Sequence, residues 1–175
     1  MGKLLFHFSE NPNITYFEPR PVHREPELGS VVWAIEATAM YKNLLPRDCP
    51  RVTFYADENS SPEDVERLLG HTTAKWIVAI ESGWLERMRT VNLYRYHLPA
   101  KTFKLVGDGI AGYYASHKPV EPLSVEPVGD LLKALIDFGV ELRITPSLWP
   151  LYKAVVNSTL PFSMIRMRNA TPPEN

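Results

Sequence analysis

Two ionisable side chains stand at the ends of apolar stretches, where a folded chain can present them to a ligand. His7 lies in segment 5–9, LFHFS, beside a polar turn, so a strand here can direct its imidazole into a cleft. Glu81 follows the apolar run 76–80, and a carboxylate at this place suits acid–base chemistry or a ribose hydroxyl. Both also have structural interpretations: a histidine satisfied within a sheet, and a glutamate beside a helix cap at Ser82.

A second group of candidates combines arginines with a thiol. Arg47 lies in segment 46–51, PRDCPR, where two arginines flank an acid and Cys49. A guanidinium can hold a phosphate through two hydrogen bonds, and a nearby arginine can lower the pKa of a thiol. The alternative is an ordinary connection in which Asp48 pairs with an arginine and Cys49 is simply buried.

A third candidate is the aromatic segment 112–118, GYYASHK. The rings of Tyr113 and Tyr114 can stack on a flat base or nicotinamide, and a glycine before them allows a ligand to approach the backbone. The alternative is an edge strand. Because successive strand side chains point to opposite faces, at most one of these tyrosines can face a given pocket.

Composition limits the classes of partner. The chain has 175 residues with 19 basic and 20 acidic side chains, so nothing marks it as a general polyanion binder and we do not expect nucleic acid. A single cysteine excludes an internal disulfide and a cysteine-rich zinc site, and the five histidines lack metal-ligand spacing, so we predict no metal. No segment resembles a signal peptide or a membrane span, which predicts a cytoplasmic protein without a membrane partner. The oligomeric state is left open.

Apolar periodicity and proline positions predict the elements that hold these side chains. Strands are predicted at 3–8, 30–35, 51–56, 75–81, 92–98, 102–106, 111–116 and 140–144, and helices at 36–45, 61–70, 84–88, 128–138 and 147–157. The strands outnumber the helices without regular βαβ alternation, which favours an α+β fold with a mixed or antiparallel sheet and packed helices. We expect one domain over 1–175, with a core at about 3–122, a helical extension at 127–157 and a frayed end at 169–175.

Three segments, taken in order, resemble the core motifs of ADP-ribosyltransferase-like proteins. They are 5–9, then 29–34 with the sequence GSVVWA before a helix, then 112–116. In that family a histidine holds the NAD ribose, a second strand supplies an aromatic beside the nicotinamide, and a late strand usually supplies a glutamate. The resemblance implies that His7 is the ribose ligand and Trp33 the aromatic, whereas Gly112 or Tyr113 stands where the glutamate is usual. The chain also resembles uncharacterised bacterial proteins of similar length that share the His-Phe-Ser opening and PRDCPR.

Two hypotheses follow. The first is an enzyme that uses NAD or another nucleotide as substrate, for ADP-ribosyl transfer, with His7 and Glu81 as catalytic residues. Its nucleotide-binding residues are His7, Ser9, Arg20, Trp33, Arg47, Tyr113 and Tyr114. The second is a non-catalytic module that binds a small molecule or a protein on a degenerate transferase-like fold. The first requires His7 to lie within about 10 Å of Trp33 or a tyrosine, since one nucleotide must reach them all.

Overall fold

The computed structural model describes residues 4–23, 25–107 and 111–173. The chain forms two compact units, each built from two separate segments: residues 1–44 with 92–129, and residues 45–91 with 130–175. Each unit contains a sheet with helical segments, so the α+β class is confirmed. The interpretation of the chain as one domain stays a prediction. Lys3, the first residue of the predicted opening strand, lies outside the described residues.

The strands in chain order are β1 (Leu4–Ser9), β2 (Arg20–Pro21), β3 (Ser30–Glu36), β4 (Arg51–Phe54), β5 (Trp76–Glu81), β6 (Tyr94–Pro99), β7 (Lys104–Leu105), β8 (Tyr113–Ser116), β9 (Ser124–Pro127), β10 (Val140–Thr145) and β11 (Phe162–Ile165). The α-helices are α1 (Pro62–Asp64), α2 (Leu85–Thr90), α3 (Leu131–Asp137) and α4 (Trp149–Val156), and a π-helix continues α1 over Val65–Leu69. Short 3₁₀ segments span Pro26–Leu28, Ala37–Asn43, Ser82–Trp84, Ala100–Thr102 and Met167–Asn169.

The first unit is an antiparallel sheet with strand order β7-β8-β3-β1-β6-β9, and β2 pairs with β3. Side chains alternate between its faces, which separates two apolar clusters. Leu5, Val32, Ala34, Tyr96 and Leu98 lie on one face with Phe17 and Val120. Phe6, Ile35 and Ala39 form the other cluster, against which Phe8, Met40 and Tyr113 pack.

The second unit is a mixed sheet with strand order β10-β5-β4-β11, in which β5 and β10 pair in parallel and the other pairs are antiparallel. The alternation in 51–56 predicted one buried face for β4, but all four of its residues are buried. The strand lies between β5 and β11, and its polar side chains donate to backbone carbonyls. Arg51 donates to the carbonyls of Pro46 and Cys49, and the Thr53 hydroxyl donates to the carbonyl of Ser163.

Several helices differ in type or in their ends from those that the apolar periodicity predicts. Segment 36–45 forms a 3₁₀ helix over Ala37–Asn43 rather than an α-helix. Ser61 caps α1 as predicted, because its hydroxyl accepts the N–H of Asp64. Helix α3 begins at Leu131 rather than 128, since the Asp130 carboxylate caps the first turn.

The carboxyl-terminal segment is more structured than its composition indicated. Strand β11 was not predicted, and neither was β9. The end from Asn169 was expected to fray, but Asn169 closes a 3₁₀ helix, Ala170 is buried and Thr171 donates two hydrogen bonds to Glu81. These partners are distant in sequence, so local composition carries no sign of them. Residues 174–175 lie outside the described part of the chain. No helix among the described residues is long and apolar enough to cross a membrane.

Candidate functional site

The candidate site lies where strands β1 and β3 part. The two strands pair at Leu5 with Glu36 and at Phe6 with Ile35. Beyond Phe6, β1 pairs with β6 up to Ser9, whereas the rest of β3 pairs with β8 and β2. The imidazole of His7 spans this fork, with Nδ1 2.9 Å from the carbonyl oxygen of Trp33. Because a carbonyl only accepts, Nδ1 carries the proton and His7 replaces a missing strand-to-strand bond.

A cavity of about 90 Å³ lies at this fork. It is lined by Phe6, His7, Phe8, Trp33, Ala34, Ile35, Asn43 and Tyr113, all of the first unit. The Trp33 and Tyr113 rings meet edge to face, with centroids 6.1 Å apart and planes at 81°. Tyr113 lies opposite Ile35 in the register and Ala115 opposite Trp33, which places both rings on one face of the sheet. Three predicted residues therefore line a single cavity: Trp33 and Tyr113 from one face of the sheet, and His7 at the fork, with its ring against Phe17 on the opposite face.

Tyr114 faces the other side of the sheet. Its ring packs against the cluster of Leu5 and Val32, and its hydroxyl lies 3.4 Å from Oε2 of Glu36. Tyr114 is therefore not a wall of the cavity, in contrast to the prediction that placed it among the nucleotide ligands. Strand alternation is the reason, because Tyr113 takes the face of Trp33 and its neighbour must take the opposite one.

Ser9 and Arg20 lie in the first unit but do not line the cavity. Ser9 is buried at the end of β1, and its hydroxyl accepts the N–H of Asn11 at 3.1 Å. Arg20 is exposed on β2, directly opposite Val31. This register places Arg20 on the sheet face that also carries Trp33, since Val31 and Trp33 are two residues apart.

Two neighbours of the cavity were not predicted. Asn43 ends the 3₁₀ helix and contributes to the lining. Lys42 is buried, its Nζ donates to the carbonyl of Ala111 at 3.0 Å, and it lies 5.9 Å from the centroid of the Tyr113 ring. Burial lowers the pKa of Lys42, and the charge of Glu36 opposes this shift. Both residues sit in a predicted helix without any motif, so the sequence offers no local signal for them.

A charged cluster lies on the same face as Phe6. Oε1 of Glu126 accepts hydrogen bonds from Arg95 at 2.9 and 2.6 Å and lies 2.7 Å from Nε2 of His97. The hydrogen bond from His97, and then that from Arg95, lowers the pKa of Glu126. Phe6 packs against both side chains, with its ring 5.1 Å from the His97 ring and 5.6 Å from the Arg95 guanidinium. The cluster therefore packs behind Phe6, which lines the cavity.

The comparison with known proteins places the chain in a family. Residues 6–170 match the sequence profile of a family of unknown function, DUF6886. The chain belongs to this family. No curated protein and no solved structure matches it. The matched range of DUF6886 takes in segments of both units, so the whole arrangement described above falls within it.

Two residues that were predicted for the site, Glu81 and Arg47, belong to the second unit. Glu81 is 3% exposed, and its carboxylate accepts the N–H of Leu148 at 3.2 Å and both the N–H and hydroxyl of Thr171 at 2.9 Å. These bonds join β5 to the start of α4 and to the carboxyl-terminal segment, which is a structural task. Arg47 is exposed, and its carbonyl accepts a hydrogen bond from Arg166. The structure thus does not bring Glu81 or Arg47 into the unit that contains His7.

Cys49 of the DUF6886 chain is a buried thiol. Burial raises its pKa to about 12, although the charge of Arg51 acts in the opposite direction. Of the two alternatives for this segment, the structure therefore favours a buried Cys49 over a thiol activated by arginine. Desolvation outweighs the nearby positive charge, and the structural alternative describes this residue.

A larger cavity, of about 600 Å³, lies in the second unit. It is lined by Ala79, Arg143, Ile144, Thr145, Ser147, Pro150 and Leu151. Its charged group, Arg143, donates to Glu141 and to the carbonyls of Leu68 and Leu69, and the hydroxyl of Thr145 donates to the Ser147 carbonyl. The larger cavity and the predicted aromatic side chains are therefore found in different units of the chain. The smaller cavity is the better candidate site because two of the predicted aromatic rings, Trp33 and Tyr113, meet on one face of the sheet there, with the His7 imidazole bonded to the Trp33 carbonyl.

Proposed function

We propose that the first unit binds a nucleotide, with NAD as the ligand, and holds one of its rings in the cavity between β1 and β3. The observation that carries this proposal is the meeting of the Trp33 and Tyr113 rings at one cavity, directly beside the point where His7 bonds to the Trp33 carbonyl. An indole and a phenol on one face offer a flat ring both edge and face contacts, each worth about 0.5–1.5 kcal/mol beyond the area they bury. Arg20, exposed on the same face, is the phosphate ligand of this proposal.

The size of the cavity limits what it holds. Its 90 Å³ is well below the roughly 300–1,000 Å³ of pockets that enclose a complete small ligand. The edge of one ring therefore enters the cavity, and the rest of the nucleotide, with its ribose and phosphates, lies outside it. His7, at the fork of the strands, is then the residue next to the ribose.

ADP-ribosyl transfer is the enzymatic form of this proposal. The order of the motifs, an antiparallel sheet that opens between β1 and β3, and the placement of His7 support a transferase-like fold. Glu81 is the carboxylate that the sequence offered for catalysis. Its oxygens accept hydrogen bonds from Leu148 and Thr171, which favours the second form, a non-catalytic module that senses a nucleotide.

A thermal-shift titration tests the proposal. NAD and ADP-ribose are added to the wild type and to Trp33→Leu, which removes one wall of the cavity. We expect NAD to stabilise the wild type by about 2.7 kcal/mol at one hundred times its Kd, and to stabilise the variant much less. Release of nicotinamide under the same conditions would support the enzyme, and stabilisation without release the sensor. Absence of stabilisation by both ligands would refute nucleotide binding.

A further inference from the structure

We infer that Asn43 determines specificity at this cavity by reading the carboxamide of a nicotinamide ring. The inference rests on the proposed function, because it names the group on the ligand that the cavity recognises. It adds a residue that neither the resemblance nor the sequence motifs assign. Its basis is the hydrogen-bonding state of the polar groups around the cavity.

Most polar groups near the cavity already have a partner. Nδ1 of His7 is held by the carbonyl of Trp33, and Nζ of Lys42 by that of Ala111. The side-chain amide of Asn43 is different: it is half-buried and lines the cavity, and among the residues that the structure describes it has no hydrogen-bond partner. The indole N–H of Trp33 likewise has no hydrogen-bond partner among the described residues. Neither group is fully buried, so water satisfies both in the free protein, and a ligand that displaces this water has to replace its hydrogen bonds.

A carboxamide is the group that an asparagine amide complements best. Nδ2 of Asn43 donates to the carbonyl of the ligand while Oδ1 accepts from its NH₂, which forms two hydrogen bonds in one plane. A carboxylate at the same place has no N–H to donate, so one of its oxygens would face Oδ1 of Asn43. The arrangement therefore selects nicotinamide over nicotinate.

The volume selects between the two rings of NAD. Adenine also presents a donor beside an acceptor, and asparagine pairs with that edge elsewhere. Adenine is bicyclic, however, and the cavity of 90 Å³ is smaller even than the roughly 150 Å³ that hold one benzene, so it admits the edge of a small ring with its substituent rather than a whole ring. A six-membered ring entering from its edge is the better fit. We therefore assign the cavity to the nicotinamide end.

Calorimetric titration of two dinucleotides tests the assignment. NAD and nicotinic acid adenine dinucleotide differ only in the carboxamide, and each is titrated into the wild type, Asn43→Leu and Asn92→Leu. Asn92 is exposed in the same unit and serves as the matched control. We expect the wild type and Asn92→Leu to prefer NAD by about tenfold or more, and Asn43→Leu to bind both alike. Equal affinities in the wild type, or an undiminished preference in Asn43→Leu, would overturn the assignment.

Two further titrations separate the ways in which the inference can fail. ADP-ribose lacks the nicotinamide, so Asn43→Leu should bind it within about twofold of the wild type, which also shows that the variant is folded. If AMP affinity falls in Asn43→Leu as much as NAD affinity does, the cavity takes adenine and the assignment is wrong. If NAD binds but its preference is independent of Asn43, only the assignment fails. If the wild type binds neither NAD nor ADP-ribose, the proposed function fails with it.

Discussion

His7 is a structural link as well as a candidate ligand. Its Nδ1 bonds to the Trp33 carbonyl where β1 and β3 no longer pair, and its ring lies 4.7 Å from that of Phe17. An asparagine at position 7 keeps a donor near the place of Nδ1, and an alanine does not. We expect His7→Ala to lower the free energy of unfolding by about 1–3 kcal/mol and His7→Asn to lower it less, as measured by urea denaturation. Equal losses would show that the hydrogen bond does not hold the fork.

Asp64 makes the stability of the second unit depend on pH in the acid range. Its carboxylate accepts hydrogen bonds from Arg67 and from the N–H and hydroxyl of Thr159, and Arg67 is the largest cause of its lowered pKa. A carboxyl whose folded pKa lies below its unfolded value of about 3.9 stabilises the fold above that pH and loses this effect as the pH falls further. We expect Asp64→Asn to be less stable at neutral pH and to show a shallower acid transition. An unchanged acid slope would contradict this role.

We predict that the Cys49 thiol is unreactive toward alkylating reagents in the folded chain. Its pKa of about 12 leaves almost no thiolate near neutral pH, and burial blocks access. We expect alkylation by iodoacetamide at a pH of about 8 to be slow in the native protein and fast in denaturant. Equally fast reaction in the two states would show an exposed, activated thiol.

Among the elements, the 3₁₀ helix Ala37–Asn43 packs closely against Gly112, which directly precedes the strand that carries Tyr113. The φ of Gly112 is +70°, and a Cβ there would lie 2.5 Å from Cβ of Ala39. Gly129 has φ +80°, but a Cβ added to it would meet no atom within 4 Å. It is therefore a control that measures the cost of a positive φ without a steric clash. We expect Gly112→Ala to lower the melting temperature more than Gly129→Ala and to weaken NAD binding, because Tyr113 must move with its neighbour. Equal melting temperatures would place Ala39 further from Gly112 than described.

Elements whose signal is local were predictable, and those defined by distant partners were not. The apolar runs and β-branched residues of β3 and β5 mark them in the sequence, and Ser61 marks the start of α1. Strand β11 exists because it pairs with β4, far earlier in the chain, and its own sequence, FSMI, carries no strong strand signal. The 3₁₀ geometry of Ala37–Asn43 likewise depends on how the segment packs on β1, which no periodicity encodes.

In the molecule as a whole, each unit is assembled from two segments that are far apart in the chain. The first unit joins residues 1–44 to 92–129, which is how His7 and Tyr113 come to share a cavity. Residue type made His7 and Tyr113 candidates, because imidazole and aromatic groups are suited to a ligand, and the family resemblance added Trp33. Asn43 could not be found in this way, since an asparagine at the end of a helix is ordinary until a cavity opens beside it.

Indole N–H resonances, followed during an NAD titration, report whether the ligand reaches the cavity between β1 and β3. The chain has four tryptophans, and Trp33→Phe assigns the resonance of Trp33. The indole of Trp149 donates to the carbonyl of Thr171 in the second unit and serves as an internal reference. We predict that NAD shifts the Trp33 resonance in a saturable manner and leaves that of Trp149 in place. A Trp33 resonance that stays unmoved at saturating NAD would contradict nucleotide binding at this cavity.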